Sequence, residues 1–154
     1  MYRIRCIWVG KTKEKYLQSG MELYQKKIKR YVALDVIELK PSSSSDILQA
    51  KKQETALIQN QLLTTETTYV LDQFGKDFTS IEFAQMLEQQ KEIQHGHVNF
   101  IIGGAYGIDP SMLDAGYPKI RFSAMTFTHQ MIRLFLLEQI YRAFTIMNHQ
   151  AYHH

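Results

Sequence analysis

A single cysteine, three prolines and one tryptophan occur in these 154 residues. With Cys6 alone, an internal disulfide and a cysteine-based zinc site are excluded. Cys6 lies in an apolar run, so an inert, buried thiol is expected, and a reducing compartment suits such a chain. Long hydrophobic runs are also missing: LFLL at 134–137 falls far short of a membrane span. The opening stretch MYRIRCIWVGKTKEKY is too charged, and its apolar run too short, for a secretory leader. The chain is therefore expected to be soluble and cytoplasmic, without a membrane partner. Its six histidines lack the spacing and carboxylate company of a metal site, so no metal is expected.

What is present is an ordinary globular composition, 45% hydrophobic and 21% charged. The length suits one domain over 1–154. The net charge of +3 is unevenly spread: residues 1–40 carry ten Lys/Arg against four acids, leaving the remainder net acidic. Such a basic part either meets a polyanion or is a solvated helix face.

Hydrophobic periodicity predicts strands at 3–9, 34–39, 67–71, 98–102 and 120–122. It predicts helices at 13–31, 46–63, 80–91 and 129–147, with a short one opened by Asp109–Pro110. Gly20 inside the first helix marks close packing. The third strand is closed by Asp72 and a turn at Gly75. Strands and helices alternate throughout, so the class is α/β, a mostly parallel sheet with helices on both faces. The last helix is apolar around most of its girth, from Met131 to Met147. A second copy of the chain covering that surplus predicts a homodimer; another helix of the same chain is the alternative.

Two loops after strands carry the site-like residues. Gly103, Gly104 and Gly107 follow the fourth strand, where α/β sheets bind ligands. GGxxG is neither the dinucleotide fingerprint nor a phosphate loop, and a tight turn explains it as well as backbone approach by a ligand. Phe122, Ser123, Ala124, Met125, Thr126 and Phe127 set small and hydroxyl residues between apolar ones, a loop able to wrap an adenine or simply to connect. His95 and His97 are expected to face solvent, Arg133 to face a substrate or a partner subunit, and Arg142 to pair with Glu138 or hold a phosphate.

Taken together, Leu71-Asp72 with Gly75-Lys76, IIGGAYG, RFSAMTFTHQMIR, EQIYRAF and the closing AYH resemble the RlmH family of small SPOUT-class methyltransferases over essentially the whole sequence. The resemblance implies a C-terminal trefoil knot from about residue 70 onward and a homodimer. It implies methylation of N3 of a pseudouridine in 23S large-subunit ribosomal RNA, with S-adenosyl-L-methionine as cofactor. The partners it implies are the ribosome and its large-subunit rRNA, not DNA. By the same resemblance the cofactor lies against Leu71, Gly103 and 122–127, while His153, Tyr152 and Arg142 are the catalytic candidates: His153 as general base, Tyr152 positioning the base. Lys13, Lys15, Lys26, Lys27, Lys29 and Arg30 would touch RNA phosphates. The family's closing basic residue is replaced here by His154. A knotted methyltransferase acting on tRNA or a ribose 2′-hydroxyl, and a non-enzymatic ribosome-binding protein, are the other readings.

Overall fold

The computed structural model describes residues 2–93 and 96–152. Its elements run β1 (Arg3–Val9), α1 (Lys15–Ile28), β2 (Ala33–Leu39), α2 (Ile47–Gln59), β3 (Thr67–Asp77), α3 (Ser80–Glu92), β4 (His97–Ile102), α4 (Pro110–Leu113), β5 (Lys119–Arg121) and α5 (His129–Met147). Every predicted element is present. Helices α1 and α2 are shorter than predicted, because residues 29–31 and 60–61 turn out of them with short-range backbone hydrogen bonds.

The five strands form one sheet in the order β2-β1-β4-β3-β5, and each neighbouring pair is parallel. A parallel sheet must be covered on both faces, and two apolar clusters do this. One holds Ile4, Cys6, Trp8 and Phe100 against α1, α3 and α5; the other holds Ile7, Val70 and Ile101 against Ile58 of α2 and Met112 of α4. Cys6 is fully buried, and burial pushes its thiol well above the ordinary range, as an inert thiol requires.

Helix α5 lies on the sheet between α1 and α3. Leu136, Leu137, Ile140, Ala143 and Phe144 enter the core, and Gly20 of α1 lets Leu134 approach: a Cβ there would stand 3.0 Å from Leu134 Cδ1. Helices of the same chain thus cover much of the apolar girth of α5. Phe135 and Tyr141 stay half-buried, the first against Phe127 and the second against Tyr24, Tyr31 and Tyr152.

Strand β3 departs most from its predicted form. It leaves the sheet after Leu71, returns at Lys76 and continues to Asp77; Leu71 and Lys76 both pair with Ile120. Arg121 then grips Asp77 with Nε and Nη2 at 2.8 and 2.6 Å, fixing β5 to the returned strand. The pattern of β3 was broken by polar residues, so its second half was unreadable as strand.

Candidate active site

Three segments meet at one edge of the sheet: an excursion within β3 and the loops that follow β4 and β5. The first is the excursion at 72–75, closed by the Phe74 N–H donating to Asp72 Oδ2 at 3.0 Å. Gly75 is required there, since a Cβ would lie 2.5 Å from the Ile120 carbonyl carbon. The second is the turn at 103–107, in which the Gly107 N–H donates to the Gly104 carbonyl at 3.0 Å. Gly107 has φ of 83°, a conformation open to glycine at no steric cost. The third runs through 122–128. The Met125 N–H donates to Ser123 Oγ at 3.0 Å, and Thr128 caps α5 by accepting the Met131 N–H at 3.1 Å.

These loops enclose a cavity of about 780 Å³. Leu71, Gly103 and each of Phe122, Ser123, Ala124, Met125, Thr126 and Phe127 line it, so the structure brings together all eight expected cofactor residues. Cavities of roughly 300–1,000 Å³ suit ligands of cofactor size. The tight turn is present, since a Cβ on Gly103 would come within 2.7 Å of the Gly107 backbone, and the same turn forms a cavity wall.

His129 also lines the cavity, a position its role at the helix start had concealed. Burial lowers its imidazole pKa, and the charges of Arg133 and Lys13 lower it further. The ring is thereby kept neutral near pH 7.

Arg133 reaches neither a substrate nor a surface. Its side chain is fully buried, with Nη2 donating to the Val9 carbonyl at 2.7 Å and Nη1 to the Gly10 carbonyl and Thr12 Oγ1 at 3.0 and 3.1 Å. The guanidinium lies over the Trp8 ring, 5.2 Å from its centroid. Burial brings its pKa down to about 10, leaving it charged at neutral pH. Arg133 therefore bolts the end of β1 to α5 and sets the helix whose first turn borders the cavity. An arginine flanked by apolar residues was legible; its inward direction was not.

Tyr152 and Arg142 form a second group away from the cavity lining. Arg142 donates to Glu138 Oε1 from Nε and Nη2 at 3.1 and 2.6 Å, the expected pair one helical turn apart. Tyr152 donates its hydroxyl to the same oxygen at 3.1 Å, lies 3.3 Å from the Tyr24 hydroxyl, and stacks under the Arg142 guanidinium at 4.7 Å. Burial, the hydrogen bond to Tyr24 and the Glu138 charge raise the Tyr152 phenol pKa, so it donates hydrogen bonds and is no base at neutral pH. The tail reaches this position through a reversal after α5. His149 takes φ of 54°, its N–H donates to the Ile146 carbonyl, and the Gln150 N–H donates to Thr145 at 2.9 Å. This is the Schellman ending, with histidine where glycine is usual. His153, the expected base, and His95 lie outside the described residues. His97, expected in solvent, is half-buried, with Nδ1 3.5 Å from Glu66 Oε1.

Between the two groups lies a smaller cavity of about 250 Å³, in the groove of α3 and α5. It shares Phe122, Ser123 and Phe127 with the larger one and has Glu138 of the tail cluster in its wall.

A family model described as "Predicted SPOUT methyltransferase" matches residues 2–153. The chain belongs to the SPOUT methyltransferase family. Membership of this methyltransferase family implies an enzyme with a methyl donor. Three relatives carry the name "Ribosomal RNA large subunit methyltransferase H". The protein of Phocaeicola vulgatus is 41% identical, with 95% of each chain covered. Those of Trichlorobacter lovleyi and Acetivibrio thermocellus are 36% and 41% identical, covering 99% and 98% of this chain and 99% of each relative. A solved structure described as a probable methylase family protein from Haemophilus influenzae Rd KW20 matches 99% of this chain and 70% of that chain. Its TM-score is 0.54 at 10% identity, a likeness of fold. The SPOUT-family fold agrees with the α/β class and with the knot that the resemblance implied; no helix among the described residues is long and apolar enough to cross a membrane.

Proposed function

We propose that this chain transfers a methyl group from S-adenosyl-L-methionine to N3 of a pseudouridine in 23S rRNA of the large ribosomal subunit. The observation that carries the reading is the meeting of three loops around one cavity of about 780 Å³ in a SPOUT methyltransferase. Its RNA class is supported by the printed name of full-length relatives at 36–41% identity, and its target atom by the motifs of the resemblance.

The cavity fits the cofactor's chemistry. Leu71, Met125 and Phe127 offer apolar surface for a purine ring, and the exposed backbone of 122–127 offers polar groups for its edges. When bound, the cofactor supplies an electrophilic methyl group on a sulfonium. The chain's own residues then have to orient the base and remove the N3 proton, which an imide holds too firmly to lose unaided. Tyr152 positions the base by stacking or hydrogen bonding; Arg142 holds Glu138 and Tyr152 in place; His153 takes the proton.

The apolar surplus of α5 favours a homodimer paired through this helix. Sedimentation at equilibrium is expected to give twice the mass of one chain. The cytoplasm, where ribosomes are found, is the corresponding place of action.

Titration calorimetry with S-adenosylmethionine tests the cofactor site. Saturable binding that is lost in Gly103→Val, with the circular dichroism spectrum retained, is the expected outcome. Unchanged binding by that variant would move the site elsewhere. Single-turnover methylation by His153→Ala tests the base: a large loss of rate is expected, and a wild-type rate would remove His153 from the role.

A further inference from the structure

Beside the cofactor cavity, the smaller cavity combines two surfaces that a nucleobase needs. Phe78, Phe83 and Phe135 join Phe122 and Phe127 as aromatic walls. Phe83 meets Phe122 edge-on at 6.2 Å, and Phe127 meets Phe135 edge-on at 5.0 Å, so the rings are held in fixed orientations. The remaining wall is polar and already oriented. Ser80 Oγ donates to Gln139 Oε1 at 2.7 Å, and Gln139 Nε2 donates to Glu138 Oε2 at 2.9 Å. These bonds fix which end of the carboxamide is oxygen and which is nitrogen. Each end keeps capacity to spare: one lone pair on Oε1 and one N–H on Nε2.

We propose that this cavity receives the target base and that Gln139 selects pseudouridine by the edge that uridine lacks. The inference rests on the pseudouridine reading above. In pseudouridine the ribose is attached through C5, so N1 carries a hydrogen beside the C2 carbonyl. A carboxamide pairs with that edge through two bonds: Oε1 accepts from N1–H, and Nε2–H donates to O2. Uridine carries its ribose on N1 and offers no N1–H. In this pose C2 is innermost and C5, opposite it, directs the ribose outward, as for a base flipped from its strand. N3, adjacent to C2, stays unpaired by Gln139 and open to the wall of Phe122, Ser123 and Phe127 that the two cavities share. The Glu138 that anchors the Gln139 amide also accepts from Tyr152, which links the base pocket to the tail cluster.

A site built to pair with a substrate N–H rejects the analogue without it, because its own polar group is left unsatisfied. The test uses two large-subunit RNAs, identical except for pseudouridine or uridine at the methylated position, and compares kcat/KM for wild type, Gln139→Leu and Gln139→Glu. Wild type is expected to favour pseudouridine. Gln139→Leu is expected to lose about tenfold or more on pseudouridine, with little change on uridine, so that the ratio collapses. Cofactor binding by calorimetry should stay within about twofold, which separates lost base reading from lost folding. Gln139→Glu, which keeps the size and one acceptor but loses the N–H donor, should fall between the two. An unchanged ratio in Gln139→Leu overturns the proposal, as does a wild type that does not discriminate. Absence of any methylation by wild type, with cofactor still bound, instead overturns the enzyme's assigned substrate.

Discussion

Arg133 Nη2 donates to the Val9 carbonyl at 2.7 Å, a bond from α5 to the end of β1 across 124 residues of sequence. No side chain of another type could serve Val9, Gly10 and Thr12 together from this depth. In Arg133→Met the buried Val9 carbonyl and the half-buried Gly10 carbonyl lose this donor. The variant should be destabilised by about 1–3 kcal/mol, read as a lower denaturant midpoint at unchanged slope.

Gly75 allows the backbone of β3 to return against Ile120. Alanine there puts a Cβ 2.5 Å from main-chain carbon that cannot swing aside. Gly75→Ala should cost about 1–3 kcal/mol. Because Leu71 pairs with the same Ile120 and lines the cavity, cofactor affinity should fall as well. Thermal unfolding and calorimetry on one preparation check both.

His129 gives the fold a pH dependence of definite sign. Its folded-state pKa is lowered from 6.5, mainly by burial, so between the folded value and 6.5 the unfolded chain binds more protons. This contribution to stability is fully present above the unfolded value and is lost as pH falls through the folded one. Denaturation at about pH 7.5 and about pH 5.5 should show a smaller acid loss in His129→Gln than in wild type.

His149 adopts φ of 54° to turn the tail toward Tyr24 and Glu138. Glycine tolerates this conformation without its Cβ cost. His149→Gly should raise stability by about 0.5–1 kcal/mol net of its greater freedom when unfolded, seen as a higher denaturation midpoint.

The parts legible in the sequence are those fixed by local pattern. Alternation in 3–9 and continuous apolarity in 98–102 marked the buried strands, and Asp109–Pro110 marked a helix start that the structure caps as expected. Gly20 marked close packing, and the structure supplies its neighbour, Leu134 of α5. What stayed hidden depends on partners distant in the chain. The return of β3 at Lys76 exists because β5 pairs with it. The buried Asn99 sits in β4 because Glu66 and Thr68 accept its amide at 2.9 and 3.2 Å. The excess apolarity of α5 was visible, and so were α1 and α3, but not that these two would flank it on the sheet. The residues of the cofactor loop read equally as an adenine wrap or a connection; the resemblance chose between them, and the meeting with Leu71 and Gly103 needed the sheet order.

The central claim is methyl transfer to N3 of a pseudouridine in large-subunit RNA. Large ribosomal subunits from cells lacking this enzyme, incubated with the protein and S-adenosylmethionine, supply RNA for nuclease digestion and mass spectrometry. The account predicts one new methylated pseudouridine, with the methyl on the ring at N3 and one methyl per subunit at completion. Methylation of a ribose hydroxyl, of another base, or of no nucleotide at all would contradict it.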